Sequence, residues 1–91
     1  MKTERIWDIL TETADLSEET LPGQPIVEIA GDSRVLIENH LGVKGYSHEQ
    51  IVVKVKYGDI HICGSCLELK RMSLHRLVIR GRICRVMLCR R

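Results

Sequence analysis

Four cysteines, one carboxylate–imidazole pair and a set of cations are the residues of this chain whose types and spacing suit chemistry. Cys63 and Cys66 flank Gly64-Ser65, and Cys84 and Cys89 follow after seventeen intervening residues. Four thiolates can hold Zn²⁺ tetrahedrally, and the first pair has the spacing of a zinc knuckle. The second pair does not, because four residues between thiols make no knuckle turn. Cys63, Cys66, Cys84 and Cys89 thus define a zinc alternative, set against four small side chains on strands. A redox dithiol needs Cys63 at a helix N-terminus, where its thiolate is favoured. The residues after it alternate like a strand, and both prolines, Pro22 and Pro25, precede it.

Glu38 and His40 stand two residues apart. On a strand they share a face, where a carboxylate and an imidazole can exchange a proton. No serine or cysteine nucleophile lies close by in sequence, so a structural hydrogen bond at a strand end is the favoured reading. Asn39 is a natural turn residue that tolerates positive φ. His48, His61 and His75 are isolated and read as surface or edge residues. No phosphate loop, HExxH or nucleophile elbow is present. We therefore assign no catalytic, cofactor-binding or metal residue, and expect a protein that is not an enzyme.

The net charge of +2 is unevenly spread. Residues 1–46 hold four Lys/Arg against nine Asp/Glu, a net −5; residues 47–91 hold ten against three, a net +7. That split suits an anionic partner, or head-to-tail self-association between acidic and basic halves. Lys54/Lys56 and Arg80/Arg82 form cationic rows on strand faces. Single-stranded nucleic acid needs aromatic stacking platforms, and after Tyr46 there is only Tyr57, so no nucleic-acid partner is expected. Contact with an anionic membrane surface suits such rows better. Charged edges that block aggregation are the simpler account.

The elements that must position these groups are mostly strands. The chain has no Phe and one Trp, so Ile, Val and Leu build its core, and Ile and Val favour pleated surfaces. Ninety-one residues make a single domain, with residues 1–21 a helical lead-in and residues 26–89 a β domain. Ile6, Ile9 and Leu10 fall at helical spacing, and Pro22-Gly23 with Pro25 end the helix. From Ile26 the period becomes two. Val27/Ile29, Val35/Ile37, Ile51/Val53/Val55 and Ile60/Ile62 alternate, with turns at "GDSR" and "YGD" and an interruption at "HLGVKG". Leu67/Leu69, Leu77/Ile79/Ile83 and Val86/Leu88 continue it, with a strand–turn–strand across Ser73. Val27–Gly31, Ile60–Gly64 and Leu77–Gly81 share the form apolar-x-Ile-x-Gly, which suits strands that bend or reverse at the glycine. The expected fold is mainly β: a short N-terminal helix, then an antiparallel meander, small barrel or β-roll, with a short β-solenoid as the alternative.

The segment from Ile37 to Leu88 resembles the YabP/YqfC family of sporulation proteins. Ile37-Glu38-Asn39-His40-x-Gly42 carries the resemblance, with the turn at Gly58, Ile60-x-Ile62-x-Gly64, and Ile79-x-Gly81-x-Ile83-x-x-Val86. The lead-in from Asp15 fits as well. The resemblance implies a small protein of an endospore-forming member of the Firmicutes that is needed for sporulation. It implies the cytoplasm of the mother cell, including the forespore surface, as the location. It brings no catalytic residue and no cofactor, and its pattern does not require the four cysteines. The expected function is a structural or scaffolding module acting through protein–protein contacts, self-association included. The alternative is a small cysteine-based zinc-binding regulatory module.

Overall fold

The two-residue periodicity resolves into six strands in the computed structural model, which describes residues 23–91. They are β1 (Ile26–Ala30), β2 (Arg34–Glu38), β3 (Val43–Tyr46), β4 (Gln50–Val55), β5 (Gly58–Met72) and β6 (Arg76–Arg90). Every pairing is antiparallel, and the strands lie in one sheet in the order β1-β2-β6-β5-β4-β3. Strands β3 to β6 form a meander, and the β1–β2 hairpin adds to its far side. The sheet is not closed into a barrel, which corrects that expectation. A solenoid is corrected too, since its stacked strands run parallel. The N-terminal helix expected over residues 1–21 lies outside the described residues, and no helix occurs among them.

An open, flat sheet cannot hide one face from water. Yet Val35, Ile37, Ile51, Val53, Val55, Ile60, Ile62, Leu67, Leu77 and Ile79 are fully buried in one cluster. The sheet must therefore fold over on itself, and the long β5–β6 hairpin is where it bends. One half of that hairpin, Gly58–Cys63, pairs with β4; the Arg76–Arg80 end of β6 pairs with β2. Between them the register slips three times. Cys84 has no opposite number, Cys66 and Leu67 together face Gly81, and Lys70 is an extra residue. Such bulges bend a strand and sharpen its twist.

Each bulge also reverses which side chains face inward. Ile60 and Ile62 are buried at even positions, but after Cys66 it is Leu67 that is buried. On β6, Leu77, Ile79 and Ile83 point in; past Cys84 it is Val86 that packs on the core. The inward-facing set therefore changes phase along the hairpin, as the groups Ile60/Ile62, Leu67/Leu69 and Leu77/Ile79/Ile83 do in the sequence. Cys66 takes a left-handed φ of 55° at its bulge, a conformation that few residues other than glycine adopt. Two turns close on the bend. In the β1–β2 turn, the Asp32 and Ser33 carbonyls accept the Ile83 and Gly81 amides; in the β3–β4 turn, those of His48 and Glu49 accept the Leu67 and Gly64 amides.

The glycines of the repeated pattern mark these places. A Cβ on Gly64 would lie 1.9 Å from the Arg82 carbonyl oxygen, and one on Gly81, at φ 148°, would lie 2.7 Å from that of Cys66. The third, Gly31, sits in the β1–β2 turn. The "HLGVKG" interruption is corrected in part: Val43–Tyr46 is edge strand β3, bulged at Lys44.

Candidate functional site

The Glu38–Gly42 segment carries the chain out of β2 and across to the opposite edge of the sheet. Glu38 sits opposite Arg76 in the β2–β6 register, and their side chains pair at 2.6 Å. Asn39 turns the chain at φ 66°, the conformation its side chain tolerates. Its amide N–H donates to the His75 carbonyl, and its Nδ2 donates to the Gln24 carbonyl at 2.8 Å. His40 follows, only 4% exposed, the one buried polar residue among the described residues. The Gly42 amide donates to its Nδ1 at 3.0 Å. That nitrogen is then an acceptor, so the proton is on Nε2, which donates to the Ser73 carbonyl at 2.9 Å. The Leu41 amide donates to the Lys54 carbonyl, and the Lys54 amide to the Gly42 carbonyl, so the crossing ends against β4.

This corner is a brace. It ties the end of β2, the β5–β6 tip and β4 through backbone groups that would otherwise be buried without partners. Both ring nitrogens of His40 are engaged by the backbone, and the Glu38 carboxylate faces Arg76. The two side chains considered as a proton-sharing pair are thus turned to different partners. The tip itself is a tight turn: the Ser73 amide and Oγ donate to the Arg76 carbonyl, and the Arg76 amide donates to Ser73 Oγ.

The other histidines serve locally. His48 Nδ1 lies 3.2 Å from the Leu67 carbonyl, and its ring meets Tyr46 edge-on at 6.4 Å. Gln50 Nε2 reaches His61 Nδ1 at 3.3 Å. The four cysteines are free thiols at separate register positions. Cys63 is opposite Arg85 and Cys89 opposite Asp59, four steps apart along the hairpin, while Cys66 and Cys84 occupy bulges and are exposed. Among the described residues no group of three or more His, Cys, Asp or Glu is arranged to hold a metal ion.

Folding assembles one cluster that spacing along the chain did not bring together. Arg34, Lys70, Arg71 and Arg80 surround Val78 in a shallow cleft on the outer face of β2, β6 and β5. Arg34 is opposite Arg80 across β2–β6. Of the cations that the sequence places in rows, Arg80 joins this cleft; Lys54 lies on β4 and Lys56 in the turn after it, both exposed. The only local signal was the dipeptide Lys70-Arg71, since Arg34 reaches the cleft through long-range pairing.

Tyr57, in the β4–β5 turn, packs partly on the core. Burial pushes its phenol above the ordinary 10.0; Arg90 opposes the shift and a Cys89 thiolate adds to it. A raised folded-state value means that its contribution to stability is complete below 10.0 and is lost as pH rises through the folded value. An alkaline absorbance titration of the protein against Tyr57→Phe should place this phenol above 10.0 when folded and return it there in urea.

Neither a curated protein nor a solved structure matches the chain. The model of one family does match, over residues 23–89, and so covers the sheet except the last residue of β6, with the braced corner and the bend of the hairpin. The chain belongs to the YabP family.

Proposed function

We propose that this chain is a non-enzymatic scaffolding module that acts through protein contacts in the mother-cell cytoplasm of a sporulating bacterium. Family membership points to a sporulation-associated protein. The observation that supports the finer reading is the open sheet. Edge strands β1 and β3 each have a partner on one side only among the described residues. Such an edge can accept a strand from another chain, with main-chain hydrogen bonds for affinity and alternate side chains for specificity. The two edges differ. β3 is four residues long, bulged at Lys44 and carries Gly45, features that blunt an edge. β1 is regular and reads IVEIA, with Ile29 half exposed. β1 is therefore the docking edge, for a partner's strand or for a second copy.

Ile29→Lys tests this, because a charge on an exposed edge disfavours strand addition while leaving the core intact. Light scattering over a concentration series, and capture of partners from sporulating cells, should both show association by the native chain. The variant should lose both with its melting temperature within a few degrees of the parent. Equal association by native and variant chains would refute the β1 edge. A chain that stays monomeric and captures nothing would refute scaffolding.

A further inference from the structure

The β5–β6 hairpin ends in an apolar tip backed by cations. Leu74 is 80% exposed and Met72 51% exposed at the turn. Leu41, also exposed, follows His40, whose ring is bonded to the Ser73 carbonyl, so a third aliphatic side chain stands beside the tip. The turn is held by the Ser73–Arg76 bonds from within and by His40 and Asn39 from behind. A rigid turn loses little conformational freedom on inserting its side chains.

Behind the tip the charge is mainly positive. Arg71 and Lys70 lead into the cleft completed by Arg34 and Arg80. Glu68 pairs with Lys70 at 3.0 Å, Glu38 pairs with Arg76, and Glu28 lies in the same cross-strand row as Val78, two strands away. Even with these, cations outnumber carboxylates. At roughly 3.3 Å per strand residue, Arg71 lies about 10 Å from Leu74 along the hairpin and Arg80 about 20 Å. Side chains that enter a bilayer interface sink about 5–10 Å. Insertion of the tip to that depth sets Arg71 and Arg76 among the headgroups, and a tilt towards the outer face adds the cleft.

We propose that the β5–β6 tip docks on an anionic lipid surface, with Leu74 and Met72 in the interface and the Arg71–Arg80 cleft against the headgroup phosphates. A protruding aliphatic tip with a basic collar suits a lipid interface, where apolar insertion and charge attraction add. An acidic protein segment would use the cleft and have no need of Leu74. The inference is independent of the scaffolding reading, which uses the β1 edge.

Flotation of the full chain with vesicles tests it. Binding is expected to vesicles of phosphatidylcholine mixed with phosphatidylserine, and not to phosphatidylcholine alone. Leu74→Ser should weaken binding at least about tenfold, from the loss of one inserted aliphatic side chain. Arg71→Gln with Arg80→Gln should weaken it roughly 25-fold, at about fivefold per cation. All three positions are exposed, so unchanged melting temperatures establish that the variants are folded. No binding to the anionic vesicles, equal binding to both kinds, or full binding by Leu74→Ser would overturn the proposal. Tight binding of soluble polyglutamate that ignores Leu74→Ser, with no vesicle binding, would assign the cleft to an acidic protein instead.

Discussion

Gly64→Ala is expected to cost about 4 kcal/mol or more, a large part of the stability of a domain this size. The added methyl would lie 1.9 Å from the Arg82 carbonyl oxygen, 2.9 Å from its carbon and 3.1 Å from Ile83 Cα. All three are backbone atoms of the paired strand, so no side-chain rotation relieves the overlap. The strands must part by more than an ångström at the point where the sheet bends. That separation strains the Gly64 amide bond to Glu49 and the neighbouring Leu67 bond to His48. It also opens the core between Ile62, Leu67 and Ile83. Gly45→Ala is the control: its Cβ meets only Val52 side-chain carbons at 3.6 and 3.7 Å, ordinary contacts, so stability should change by less than about 1 kcal/mol. Urea unfolding of both variants measures the difference. Equal, small losses in the two would show that the bend does not need the close approach at Gly64.

His40→Ala is the second large effect, at about 2–4 kcal/mol. Alanine leaves the Ser73 carbonyl and the Gly42 amide without their partner and a cavity where the ring was. At about 4–8 °C per kcal/mol for a domain of this length, the melting temperature should fall by at least about 8 °C. Glutamine has both a donor and an acceptor on its planar end, so His40→Gln should recover part of the loss. Hydrogen exchange gives a local readout: the Gly42 amide should lose protection in His40→Ala more than amides of the β3–β4 pairing do. A loss below about 1 kcal/mol would mean that the brace contributes little.

The core was legible where alternation is uninterrupted. Ile51, Val53, Val55, Ile60 and Ile62 sit inside as their spacing predicts, and the strand–turn–strand across Ser73 is as expected. The phase reversals left a trace, the odd spacing from Ile62 to Leu67 and from Ile83 to Val86. That trace does not reveal which residue bulges, because the choice rests on the opposite strand. β3 was hidden because Lys44 and Gly45 have low strand propensity and form through pairing with β4. Asn39 was readable as a turn residue from its own chemistry. The bonds of His40 were not, since its partner Ser73 is 33 residues away and its neighbour Glu38 turns to Arg76. The Arg34–Arg80 cleft was unreadable for the same reason.

The placement of β6 between β5 and β2 has a kinetic consequence. The β5–β6 ribbon and its neighbour β4 join through turns of a few residues, so they can zip up from local encounters. β2 instead waits for a strand whose paired residues lie about forty positions downstream, from Glu38↔Arg76 to Arg34↔Arg80, and closing so long a loop slows the search. The β1–β2 ribbon is thus the last piece to arrive during refolding. On a growing nascent chain β2 emerges well before β6, and that side of it waits until β6 has been made.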